Sequence, residues 1–343
     1  MRRLLNTLFV TTEDAYLSLE LENVVAKVDG KVVAKIPLRG LDSIVSFSYM
    51  GISPALLGYC GEIGVSVSMY SPRGKYYCSV LGENNRNVLL RRQQYRMADK
   101  DDDCCAVASM MLLGKISNAR SVVIRALRDH PLSVSKDRVS ATVLNLAESL
   151  KNVRAVSCTD ELRGIEGDAA REYFSVFDDL ILQGKDDFFF EGRNRRPPLD
   201  RTNAMLSFIY TLLARDCQAA LSGSGLDPYV GFLHTDRPGR PSLALDLMEE
   251  LRPVLADRFV LTMINNRVIR PNNFVQMEDG AVLLNDDGRK KVLAEWQQRK
   301  KDVITHPYLK EKVEWGLVPM VQSLLLARYI RGDIDAYPTF FWK

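Results

Sequence analysis

The chain has little of what marks several large protein classes. Its six cysteines, Cys60, Cys78, Cys104, Cys105, Cys158 and Cys217, include no C-x-x-C pair. Neither a zinc ribbon nor a disulfide framework is expected, and reduced fillers of an intracellular protein are. No unbroken apolar run reaches the roughly 18 residues of a membrane span. The opening MRRLLNTLFVTTEDAY lacks an h-region and a cleavage site, so a cytoplasmic location follows by default. Internal repeats and low-complexity tracts are missing. So are G-x-S-x-G, a P-loop and H-E-x-x-H, which sets aside serine hydrolases, P-loop NTPases and zincins. The net charge is only +3 and the pI near 8.4, so any polyanion would have to be held by local basic clusters.

What is present begins with length: 343 residues are too many for one small core, and two domains are expected. The first eighty or so residues read as β. LNTLFVTT and AYLSLEL alternate, VVAKVDGKVVAKI is a hairpin around Asp29-Gly30, and SIVSF continues the pattern. SPALLGYCGEI (53–63) reads as a short helix capped by Ser53 with Pro54 at its first position. VSVSMY and YYCSVLG bracket the turn SPRGK as a further hairpin. Beyond Gly82-Glu83 the spacing turns helical. NVLLRRQQYRMADK and CCAVASMMLLGKISNARSVVIRALRDH come first, then segments near 136–152, 159–183, 201–221, 242–265, 286–303 and 316–331. One hairpin, NFVQMEDGAVLLN, turns at Asp279-Gly280. The expected fold class is α+β, with a small antiparallel β domain over 1–83 and a larger all-α domain over 84–343.

One of only three histidines stands in GFLHTDRPGRPSLALDLMEELRP (231–253), where a Gly/Pro turn separates it from a helix bearing Asp246, Glu249 and Glu250. At about 100° per residue, Leu243, Leu247, Met248 and Leu251 form an apolar arc of a helix that Ser242 could cap. Asp246 lies about 60° from Glu249 and about 40° from Glu250, so the acids share one flank and repel. Taken alone, this is a solvated acidic edge paired with Arg237, Arg240 or Arg252. A second segment, ELRGIEGDAAREYF (161–174), places Gly164 and Gly167 inside a helix, each costing roughly 1 kcal/mol against alanine. Small residues there admit either a tightly packed helix or a ligand beside Glu166. Glu166, His234 and a carboxylate of 242–252 would make an oxygen-rich site with one imidazole, suited to Mg²⁺ or Mn²⁺. The geometry leaves Glu249 and Glu250 equivalent at this point.

Basic residues cluster in three places. EGRNRRPPLDRTNAMLSFIYTLL holds Arg193, Arg195, Arg196 and Arg201, VLLRRQQYR holds Arg91, Arg92 and Arg96, and GRKKVLAEWQQRKK surrounds Trp296 with lysines and arginines. Each by itself is an ordinary solvated face. Together with a candidate metal site they favour a nucleic-acid backbone as substrate.

These stretches, with LLNTLFVTTEDAYLSLE and GISPALLGYCGEIGVSVSMYSPRGK, resemble the CRISPR-associated integrases, the "Cas-one" proteins of the adaptation module, with subtype I-C members the nearest in look. The resemblance runs along essentially the whole chain. It implies an N-terminal β domain and a C-terminal helical domain. It also implies metal ligands at Glu166, His234 and Glu249, with Asp246 as a supporting acid, and so selects Glu249 over Glu250. The family often has aspartate where Glu249 stands. The implied activity is a metal-dependent DNA endonuclease and integrase that inserts spacers into a CRISPR array, a DNA 3′-hydroxyl being the nucleophile. Implied partners are DNA, a second copy of the chain, and a small "Cas-two" dimer in a 4:2 complex, with Arg193, Arg195, Arg196, Arg201, Arg91 and Arg92 as candidate DNA contacts. Two other readings stay open: a generic nuclease acting on branched DNA, and a non-catalytic DNA-binding scaffold.

Overall fold

The computed structural model describes residues 2–4, 7–41, 43–72, 76–80, 87–194 and 196–342. The chain divides into two compact units, one of Met1–Arg96, Asp216–Pro228 and Pro319–Asp335, the other of Met97–Arg215, Tyr229–Val318 and Ala336–Lys343. The expected boundary between 83 and 84 lies outside the described residues.

The first unit carries β1 (Arg2–Leu4), β2 (Thr7–Val10), β3 (Tyr16–Glu20), β4 (Asn23–Val28), β5 (Lys31–Pro37), β6 (Ser43–Ser46), α1 (Pro54–Glu62), β7 (Ser66–Tyr70), β8 (Tyr76–Val80) and α2 (Asn87–Ala98). Strands β3, β4 and β5 form an antiparallel sheet. Asp29 and Gly30 turn it with φ of 49° and 75°, the two left-handed positions that make Asp-Gly a hairpin signal. The other sheet has the order β1-β2-β6-β7-β8 and is mixed. Its β2–β6 and β6–β7 pairs are parallel, where an all-antiparallel arrangement was expected. The reason is the connections. Strands β3 to β5 fill the gap between β2 and β6, and α1 fills that between β6 and β7, so each return is long enough for a crossover. Ser53 caps α1 by accepting from the Leu56 N–H, with Pro54 at the first position. Apolar residues of both sheets and of α1 share one core, among them Leu17, Val24, Ile44, Leu56 and Val67.

The second unit is built on α3 (Asp101–Asp129), against which α4 (Lys136–Ala155), α5 (Thr159–Ser175) and α7 (Ser242–Leu251) pack. Helix α3 is long and apolar enough to cross a membrane by composition, but 61% of its apolar window is buried inside the fold, as befits a core helix. Helix α6 spans Arg201–Ser224, and α8 (Arg258–Asn265) follows α7 across a π-helical stretch, Arg252–Asp257. A continuous helix was expected over 242–265. Pro253 lacks an N–H and crowds the carbonyl of Glu249, so the ladder widens there. The hairpin of β9 (Phe274–Gln276) and β10 (Val282–Leu284) turns at Asp279-Gly280 as expected. A second, β11 (Val303–Thr305) with β12 (Lys312–Glu314), follows α9 (Asp286–Lys301) and was not foreseen. Helix α10 covers Val318–Arg331 and, from Pro319 on, belongs to the first unit, as does the end of α6 from Asp216. Among the described residues no disulfide joins the cysteines, and Cys60, Cys104, Cys105 and Cys217 are buried.

Candidate active site

The acids of α7 are not a solvated edge. Asp246 and Glu250 are fully buried and Glu249 is 2% exposed. Three buried carboxylates on a ten-residue helix each need partners, and each has a different set.

Asp246 organises the histidine turn. It accepts from the backbone N–H groups of Phe232, Leu233 and His234 at 2.6, 3.0 and 2.9 Å, and its Oδ1 lies 2.6 Å from His234 Nδ1. An acceptor-only carboxylate that already takes three backbone N–H bonds faces a protonated Nδ1, which donates to it and leaves Nε2 as the ring's acceptor. Gly231 makes the turn possible: a Cβ there would stand 2.8 Å from Ser242 Cβ and 2.9 Å from Asp246 Oδ2. Ser242 is not the helix cap. Pro241 holds that position, and the Ser242 hydroxyl donates to the Thr235 carbonyl at 3.1 Å, closing the loop instead.

Glu250 belongs to the scaffold. It accepts from the Tyr337 hydroxyl and from the Phe340 N–H at 2.8 Å, pinning the C-terminal segment. The two glutamates that sequence geometry left equivalent are thus separated by what they touch.

Glu249 faces the other way. Arg252 Nη2 donates to its Oε1 at 2.5 Å, and Lys115 Nζ lies 2.7 Å from its Oε2. That Oε2 is buried and has the ion pair without a hydrogen bond of good geometry. Burial would raise the Glu249 carboxyl, but Arg252 and Lys115, helped by His234, outweigh it and hold it at about 2. Lys115 is 7% exposed and also contacts Glu166 Oε1, so one ammonium bridges the two glutamates. Lys115 reaches them because Gly114 precedes it. A Cβ on Gly114 would fall 2.8 Å from Glu250 Cβ, so only glycine lets α3 and α7 approach this closely.

Glu166 comes from the middle of α5, its side chain 30% exposed. One turn earlier, Arg163 donates to the Leu233 carbonyl at 2.9 Å and ties this helix to the histidine turn. Gly164 and Gly167 are not helix-packing glycines, because a Cβ on either would meet nothing within 4 Å. The space beside each is open, Gly167 being the residue next after Glu166.

The structure therefore brings Glu166 and Glu249 to one ammonium, and ties His234 to Asp246, one helical turn before Glu249. Among the described residues no three His, Cys, Asp or Glu stand as a ready-made metal cluster; Lys115 sits between the two glutamates. Sequence reasoning missed Lys115 altogether. Arg252 was among the partners expected for these acids, but the layer it builds behind Glu249 with Tyr210 and Asp257 was not. There Arg252 and Arg193 lie over the Tyr210 ring, 4.8 and 5.3 Å from its centroid, and the Tyr210 hydroxyl donates to Asp257 at 2.6 Å. Burial lifts the Asp257 carboxyl to about 6 despite the Tyr210 bond and Arg252. The π-helical stretch, which begins at Arg252 and ends at Asp257, carries both charges.

The candidate DNA-contacting arginines are scattered in role. Arg193 donates to Asn203 Oδ1 at 2.7 Å and to the Ser207 hydroxyl at 3.0 Å, so it braces its own loop. Arg201 donates to the Asp187 carbonyl at 2.9 Å. Arg196 is exposed, and Arg195 lies outside the described residues. Arg91 and Arg92 are exposed on α2, Arg91 donating to the Gly225 carbonyl at 3.2 Å. Trp296, set among lysines in the sequence, is buried edge-on against Phe259 and offers no stacking face.

A family described as CRISPR associated protein Cas1 matches residues 8–298 of this chain. A CRISPR-associated endonuclease Cas1 of Chlorobaculum tepidum is 48% identical over 343 residues, covering the whole of both chains. One of Rhodospirillum rubrum is 49% identical over 347 residues, again covering both in full. The chain belongs to the Cas1 family of CRISPR-associated endonucleases. Among solved structures, a casposase bound to integration product superposes with a TM-score of 0.77 at 20% identity, covering 98% of this chain and 97% of that one. A partial Cas6-RT-Cas1–Cas2 complex superposes at 0.75 and 22% identity, covering 98% of each. At such identities the two structures speak for the fold alone, and that fold is the one described here.

Proposed function

We propose that this chain is a CRISPR-adaptation integrase of the subtype I-C kind, whose centre is Glu166, His234 and Glu249 around one divalent cation, Mg²⁺ or Mn²⁺. The observation that carries the reading is the meeting of Glu166 and Glu249 on a buried positive charge, beside a histidine whose ring is fixed by Asp246. The donor set fits a hard or borderline divalent ion, two carboxylates and one imidazole nitrogen. The buried Glu249 Oε2, left without a hydrogen bond, fits as well. A bound cation would supply Lewis-acid polarisation of a phosphoryl oxygen.

The chain's own residues prepare for that chemistry. Asp246 holds His234 in the tautomer whose Nε2 can act as a ligand. Arg252 fixes Glu249 from the side away from Lys115 and keeps it ionised. Gly167 leaves the helix surface next to Glu166 without a side chain, where a strand could come close. No serine or cysteine stands in this constellation as a nucleophile, which suits a reaction in which a DNA 3′-hydroxyl attacks a phosphodiester. The resemblance to adaptation-module proteins adds the setting: cytoplasmic work on prespacer DNA and a leader–repeat target, as a homodimer joined to a Cas2 dimer in a 4:2 assembly.

The test is strand transfer of a short duplex with free 3′-hydroxyl ends into a supercoiled, repeat-bearing plasmid. Glu166→Gln and His234→Ala abolish joined product and weaken Mn²⁺ binding in calorimetry, while circular dichroism stays native. Joining that survives either substitution removes the assignment. Cleavage of plain duplex that outpaces joining would instead favour a branched-DNA nuclease.

A further inference from the structure

The second unit holds another polar depression, away from the carboxylates. It is a cleft of about 460 Å³ between α3 and α8. Arg125 and Asp129 of α3 and the following His130 line one wall, and Arg258 and Thr262 of α8 line the other, with Asn266 just beyond that helix. Its size lies within the usual range of small-molecule sites.

The charge in this cleft is unbalanced. Among the described residues the Arg258 guanidinium has no carboxylate within ion-pair distance, and its buried Nη1 has no acceptor. Asp129, an acid acting on Arg258, is shared by Arg125 and Arg128, whose Nε atoms reach it at 3.1 and 2.8 Å. Arg299, the other cation acting on Arg258, is paired with Asp302 at 3.0 Å. Burial first, then repulsion from Arg125 and Arg299, depresses Arg258 to about 10. The guanidinium carbon lies 5.7 Å from the centroid of the Trp342 ring, which holds the group in place. The buried Nη1 is shut off from the cleft, but Arg258 is only partly buried and lines it; a guanidinium without a carboxylate partner, next to Arg125, favours an anion there. The arginine fork matches a phosphate, whose several oxygens can also meet a second guanidinium.

We propose that this cleft is a phosphate-binding site, separate from the candidate active site, which takes a phosphate group of a nucleotide on Arg258 and Arg125. The proposal stands independently of the metal-site reading, because none of its residues touches Glu166, His234 or Glu249.

Metal-free full-length protein in EDTA is titrated with inorganic phosphate, with deoxyadenosine monophosphate, and with a fluorescent ten-nucleotide single strand. Binding is read by calorimetry for the first two and by anisotropy for the strand. At least one probe binds the wild type, and Arg258→Gln and Arg125→Gln each weaken it tenfold or more. Arg125 has a half-exposed side chain, so its variant decides the matter if Arg258→Gln does not fold. Binding of free phosphate and mononucleotide without the strand supports a free-anion ligand. Binding of the strand alone, with the same sensitivity, supports a backbone phosphate. Binding of none of the three, or binding indifferent to the arginine substitutions, overturns the proposal.

Discussion

Lys115→Met offers the most direct probe of the candidate site. Lys115 is buried and joins Glu166 to Glu249, at 2.7 Å from the latter. Methionine keeps the stem's length and apolar character and removes only the charge. Two unit charges about 4 Å apart at an effective dielectric constant near 20 attract by about 4 kcal/mol. Breaking a buried pair by deleting one partner costs about 3–5 kcal/mol, because the other charge stays buried. Arg252 still faces Glu249 Oε1, so the loss sits at the lower end, about 3 kcal/mol. For a chain of this length that corresponds to a melting temperature lower by about 4 °C in EDTA. The same ammonium opposes an incoming cation. Its removal makes Mn²⁺ binding tighter, by about tenfold for each 1.4 kcal/mol of repulsion relieved, and Mn²⁺ then restores the lost stability. The assays are thermal melting with and without Mn²⁺ and a calorimetric titration. A folded variant that binds Mn²⁺ no better than the wild type, or worse, would show that Lys115 does not stand in for a cation between the glutamates.

Further expectations follow from the same contacts. Gly231→Ala pushes a methyl group into Ser242 and Asp246; strand transfer falls at least tenfold while far-ultraviolet dichroism is preserved, and a fully active variant refutes the role of the turn. Glu250→Gln loses a charged acceptor for Tyr337 and Phe340 and costs about 1–3 kcal/mol in denaturant unfolding, with Mn²⁺ affinity unchanged. Asp257 titrates near 6 in the folded chain against an ordinary 3.8. The folded state thus holds its proton more tightly, and the group's stabilising contribution, full below about pH 4, is lost as pH rises to about 6. The two-unit shift is worth about 3 kcal/mol. Melting in EDTA across that window slopes downward in the wild type, and Asp257→Asn flattens the slope. An unchanged slope refutes the assignment.

Local chemistry wrote much of the molecule into its sequence. Asp29-Gly30 and Asp279-Gly280 mark hairpins because the left-handed backbone they supply is a property of those residues alone. The Ser53-Pro54 start of α1 is likewise local, and helical spacing located the long helices of the second unit. The family was legible in motifs, and the same motifs single out Glu166, His234 and Glu249 as the proposed ligands. Other features depend on chain segments far apart, and no local pattern encodes them. Strand direction in the five-stranded sheet follows from crossover connections rather than from alternation. The fates of Asp246, Glu249 and Glu250 differ because each faces a different distant partner: the histidine turn, Lys115 and Arg252, or the C-terminal segment. Helical angles spread those acids along a flank and read as solvated; packing against α3 buried them and set their charge. Lys115 itself looks like any lysine of an apolar helix until α5 and α7 fold over it, because burial and convergence exist only in three dimensions.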